Sequence, residues 1–301
     1  MIPNPLLYFS ILIALSLLIY VVGHFATIFI QTNYDSVYEK FFLKLVVGSL
    51  SIFSSYALVI TSLNSVLFGF FLVYILYHLL QKDSWCKRLK IANYKIPSEE
   101  IKICIYFVLF LIIISILYNF RFTDLHGNGK LLNDDYYFYA GIIDYMNQYH
   151  IETTNLIPPT FGMKSVPEIY HYFELWAAAF VSSIFKTSSF FSLILVIYPL
   201  FLSIILIGAM SLVKQILDIK IFIIFIFSFL ILFLVPIIQI YYPFGDLLHH
   251  QKFDKIPNLI SGLTDKLFFV TCLIIWFFIN IRLNNLSLTI LPFSLIIVVY
   301  S

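Results

Sequence analysis

Apolar runs of membrane-spanning length recur along this chain, and they constrain its fold more than any other feature. About 20 consecutive apolar residues span a bilayer as a helix. Such runs occupy roughly 6–30, 42–62, 65–80, 103–120, 188–213, 221–243, 267–281 and 286–301, the third and seventh being short. The chain is 61% hydrophobic and 11% charged, whereas soluble domains run about 25% charged. No soluble fold hides that much apolar surface. The expected fold class is therefore all-α, a polytopic transmembrane helical protein of about 8 spans.

Several other classes drop out. The first run carries no preceding positive charge and no small-residue cleavage site, and it is longer than a signal-peptide core. It is read as a retained transmembrane helix. Of the three cysteines, Cys104 and Cys272 fall in apolar runs and Cys86 lies in the most basic loop, with no CxxC among them. No disulfide framework is expected. The net charge of +2 is small and the basic residues cluster in loops, which makes them topology signals and not a nucleic-acid footprint. The sequence has no GxxxxGK, GxSxG or HExxH.

Lys82, Lys87, Arg88, Lys90, Lys95 and Lys102 crowd the 81–102 loop, so that loop is expected in the cytoplasm. The run 103–120 then exits, and a long extracytoplasmic loop (121–187) follows with membrane-parallel helices. Its polar part, 121–172, holds six carboxylates, three basic residues, three of the seven histidines and seven of the 21 tyrosines. The apolar stretch 172–185 has only 14 residues, below the roughly 17–25 of a span. It is read as not crossing, with Trp176 and the tyrosines at headgroup depth. That reading puts the polar loop 244–266 on the same side as 121–172. The chain divides into a three-span N-terminal extension (1–102) and a transmembrane core (103–301). The last run meets the C-terminus with no polar flank, so the chain is expected to be a piece of a longer protein.

Three clusters carry candidate chemistry. Asn133-Asp134-Asp135 reads as a helix N-cap with two acids in the first turn, where the helix dipole favours negative charge. An acid held ionised there can also serve as a general base or a metal ligand. The helix continues to about Tyr149 with Phe138, Ile142 and Met146 on one side and Asp144 toward water. Glu168, His171 and Glu174 recur at i, i+3, i+6 behind a proline-led segment, a set suited to a metal or a phosphate. The plainer reading is an aromatic interface belt. Asp246 and His250 share a helical spacing, with His249 beside them. The plainer reading there is a solvated loop. His24 and His78 are read as packed or interfacial, and the serines of the second run as helix-packing residues.

Taken together, an exit helix, a loop opening on Asp-Asp and aromatics, a proline-led YHYFELW segment and a later polar loop with Asp246 resemble the GT-C superfamily of polytopic glycosyltransferases. The resemblance covers about 103–270. It implies transfer of a sugar from a polyprenyl-phosphate-linked donor to an envelope glycan or glycolipid acceptor, outside the plasma (inner) membrane. Asp134 or Asp135 matches the superfamily's first-loop acid and Asp246 its second-loop acid. It further implies that His171, Lys164, His249 and His250 stabilise the lipid phosphate, with or without a divalent metal ion, that Glu168 helps to bind substrate, and that Tyr137 and its neighbours stack on sugar. The implied partners are the lipid-linked donor, the acceptor and membrane lipids, with no nucleic acid. Two departures stand out: three spans precede the superfamily's first helix, and its C-terminal half is missing. A flippase or transporter, a polymerase for lipid-linked glycans and a non-catalytic membrane partner are the alternatives. A transporter would place charges within its spans; here the acids sit in loops.

Overall fold

The computed structural model describes residues 4–29, 36–60, 98–123, 134–156, 173–217 and 220–228. Helices α1 (Pro5–Phe29), α2 (Val37–Ile60) and α3 (Ser98–Phe122) come first. The shorter α4 (Asp134–Tyr149) and α5 (Phe173–Phe185) follow. Then α6 (Ser189–Phe191) runs through a π-helical turn (Ser192–Ile197) into α7 (Tyr198–Ile216). Residues 221–228 are also helical. Among the described residues, four helices are long and apolar enough to cross a membrane: Pro5–Thr27, Val37–Ala57, Ser98–Phe120 and Ser189–Gln215. The expected spans 65–80, 267–281 and 286–301, and most of 221–243, lie outside the described residues.

Contacts along the helices give their directions. Gly23 of α1 faces Lys44 of α2, and Gly48 faces Ile19, so α1 and α2 are antiparallel. A Cβ on Gly23 would stand 1.7 Å from the Lys44 carbonyl oxygen, and one on Gly48 2.0 Å from that of Ile19. Only glycine lets the two backbones approach this closely, the small-residue packing common between membrane helices. Glu39 meets Gln215 and Phe53 meets Phe201, so α2 and α7 are antiparallel. Tyr118 near the end of α3 meets Tyr198 at the start of α7. The bundle therefore has two faces. One holds the end of α1, the starts of α2 and α3 and the end of α7. The other holds the start of α1, the ends of α2 and α3, all of α4, and the start of α6.

Burial separates the spans. The most apolar window of Ser189–Gln215 is wholly buried, whereas only 33% of that in Ser98–Phe120 is. The α6–α7 span is thus the hub. The outer stripe of α3, with Ile105, Val108, Ile116 and Phe120 exposed, is left for lipid. The hub's π turn has a local cause. Pro199 lacks an N–H and its ring crowds the carbonyl four residues back. The helix answers by widening, and the Tyr198 N–H reaches back five residues to the Leu193 carbonyl. The π turn, α2 and α4 enclose α5, of which Phe173, Glu174, Leu175, Ala177, Ala178, Ala179, Val181 and Ser182 are buried. Phe53 of α2 lies within 5.8–6.0 Å of the rings of Phe173, Phe180 and Phe201.

Candidate functional site

The short helices gather at one face. At 1.5 Å per residue, α4 and α5 are about 24 and 20 Å long, less than the roughly 30 Å hydrocarbon core. Asp134 is the first residue of α4 and Asp135 the second, so both occupy the first turn, at the positive end of the helix dipole. Their side chains and the expected cap, Asn133, lie outside the described residues.

Residues just beyond the acids anchor this helix. The Tyr136 ring is 5.3 Å from Phe122, edge on, and 6.2 Å from Tyr198. Tyr118 completes the group, stacked on Phe122 at 5.5 Å. Tyr137 stacks on Phe190 of α6 at 4.6 Å and 16°. Two turns later, Ser189 donates a hydrogen bond to Asp144, which is exposed. In the last turn, the Tyr56 hydroxyl of α2 donates to Asn147 Oδ1 at 2.9 Å and to the Ala179 carbonyl at 3.1 Å. Asn147 Nδ2 in turn donates to Ser182 Oγ at 3.0 Å. The helix ends on His150, whose φ of 60° closes it in the left-handed region.

Among the aromatics expected to stack on sugar, Tyr136 and Tyr139 are buried, while Tyr137 and Phe138 are each 40% exposed. The expected apolar side of α4 is thus turned. Ile142 and Met146 are buried with Tyr139 and Ile143, and Phe138 is not. The pull comes from Phe122 and Tyr198, which draw the Tyr136–Tyr139 side inward. Glu174 sits buried in the first turn of α5. Lys164, Glu168, His171, Asp246, His249 and His250 lie outside the described residues.

The opposite face carries polar residues that the sequence reading passed over. Lys44 of α2 and Glu100 of α3 form an ion pair, with side chains 6% and 3% exposed. The Tyr20 hydroxyl donates to Glu100 Oε1 at 2.6 Å, and Lys44 Nζ lies 5.0 Å from the Tyr20 ring centre. Glu39, also buried, accepts a hydrogen bond from Gln215 of α7. His24 stacks near Tyr20. One signal was visible in the sequence: Lys44 falls inside an expected span, and a charge there asks for a partner.

Comparison with protein-family models, curated proteins and solved structures found no match. The class that the described residues define is an α-helical membrane protein, with span-length helices around a buried hub and two short helices packed at one face.

Proposed function

We propose that this protein is a membrane glycosyltransferase that moves a sugar from a polyprenyl-phosphate-linked donor to a glycan or glycolipid acceptor. The observation that carries the reading is the placement of α4. Among the described residues, a short helix led by Asp134 and Asp135 comes after a span-length helix and packs against a second short helix that precedes the next described span. That is the arrangement implied by the resemblance to GT-C enzymes.

Charge supports the sidedness this reading needs. Among the described residues, Lys40, Lys44, Lys102, Lys214 and Lys220 belong to the face opposite α4, and only Arg121 and Lys186 to the α4 face. Basic residues favour the cytoplasm, which supports an extracytoplasmic position for α4 and α5 in this reading. In the reaction, the acceptor oxygen attacks the anomeric carbon. A first-turn carboxylate takes the hydroxyl proton. The bond from anomeric carbon to phosphate oxygen breaks, and the electron pair leaves with the lipid phosphate. A cationic group near the phosphate stabilises that charge. The candidates are Lys164, His171, His249 and His250, with Asp246 and Glu168 placing acceptor or ion. Tyr137 and Phe138 offer the exposed rings for a sugar face.

The direct test replaces both Asp134 and Asp135 with Asn in the producing cell. Glycan transfer is expected to be abolished with the protein still present in the membrane; unchanged transfer rejects the reading. One observation favours the transporter alternative, the buried charges Glu39, Lys44 and Glu100 within span-length helices. They lie within about two turns of their helix starts rather than at mid-depth, and Lys44 and Glu100 engage each other, so the enzyme reading is preferred.

A further inference from the structure

The geometry points to Tyr136 as a positioning residue, a wedge that fixes the acid-bearing first turn of α4 against the spans; this rests on the glycosyltransferase reading for its purpose, though not for its test. The side chain is 4% exposed, although it follows directly on two acids. Its ring enters between Phe122, the last residue of α3, and Tyr198, the first of α7. Both neighbours are themselves fully buried. The near-perpendicular contact with Phe122, at 88°, is the edge-to-face geometry that aromatic pairs prefer. Aromatic packing of this kind locks a rotamer and, with it, the backbone on either side.

The wedge matters because of where it stands. A general base must hold its reacting atom to within a fraction of an ångström of productive geometry. The far end of α4 is held by Asn147, bonded to Ser182 and Tyr56. Tyr137 and Asp144 hold the side that faces α6. Tyr136 is the contact that ties the first turn to two spans at once. It also lies beside the π turn, whose widened backbone ends at Tyr198. Tyr136 thus sets the position of Asp134 and Asp135 without touching substrate.

Spin labels read this directly. In a background lacking the three native cysteines, nitroxides are placed at Leu6→Cys, on the exposed start of α1, and at either Asp134→Cys or Gln148→Cys. Double electron–electron resonance in lipid nanodiscs then gives two distance distributions, one for each end of α4. Tyr136→Leu is expected to lose the narrow distribution at 134 and keep it at 148, and Tyr136→Phe to restore the first. A merely structural role would broaden both ends. Phe122→Leu removes the same contact from the other side and answers the question if Tyr136→Leu fails to fold. A narrow distribution at 134 in the Leu variants, or equal broadening at both ends, overturns the wedge. The two claims separate cleanly. Loss of order at 134, together with unchanged glycan transfer in the Asp134→Asn, Asp135→Asn protein, rejects the enzyme reading and leaves the wedge standing.

Discussion

The two faces of the bundle bury polar groups in opposite ways. At the face away from α4, the buried charges of Lys44 and Glu100 cancel, with Tyr20 bonded to both, and buried Glu39 accepts a hydrogen bond from the neutral Gln215. At the α4 face several joints are neutral: Tyr56, Asn147 and Ser182 share hydrogen bonds, and Phe122, Tyr136 and Tyr198 share ring edges, while Asp144 accepts from Ser189 and Glu152 and Glu174 are buried. A buried ion pair is costly to break but adds little stability over an apolar pair. Its residues are committed to one another, which suits a joint. Neutral joints ask nothing of the ionisable residues around them. The Tyr56, Asn147 and Tyr136 contacts that hold α4 draw on no carboxylate.

The largest effect that would break this contrast is at Glu100. Glu100→Leu alone leaves the Lys44 ammonium buried without its counter-charge and is expected to destabilise the protein by about 3–5 kcal/mol. Adding Lys44→Met should recover most of that loss, because the charge then goes with its partner. Thermal unfolding in detergent, followed by size-exclusion fluorescence, measures both. A double variant as unstable as the single one would mean that the pair is worth more than its own cancellation. A smaller effect is expected at the neutral joint. Asn147→Leu removes the acceptor of Tyr56 and the donor to Ser182, but Tyr56 keeps the Ala179 carbonyl and Ser182 also bonds that carbonyl. The cost should be about 1–3 kcal/mol. A loss as large as that of Glu100→Leu, in the same unfolding assay, would erase the distinction between the faces.

Among the described residues the spans were largely legible in the sequence, and the joints between them were not. Run length alone placed α1 and the α6–α7 span within a few residues of where they lie, because lipid sets the length of an apolar helix. The starts of α2 and α3 were placed about five residues late. Their first turns carry Glu39, Glu99 and Glu100, which a hydropathy window rejects, yet Glu39 and Glu100 are buried by cross-helix partners. Lys44 and Glu100 are 56 residues apart, and no periodicity connects them. The start of α4 at Asp134 followed from capping chemistry, which is local. Which side of α4 turns inward did not, because Phe122 and Tyr198 decide it, and both are distant in the chain. Gly23 and Gly48 carry no pattern either, since their value lies in a backbone contact across two helices.

The proposed sidedness sets the two faces on opposite sides of the membrane, with α4 outside. Single cysteines at Gln148, exposed in the last turn of α4, and at Lys102, exposed in the first turns of α3, report on it directly. With the native cysteines replaced, an impermeant maleimide is added to intact cells. Gln148→Cys is predicted to label at once, and Lys102→Cys only after permeabilisation. Labelling of Lys102→Cys in intact cells with Gln148→Cys protected would contradict the account, as would equal labelling of the two.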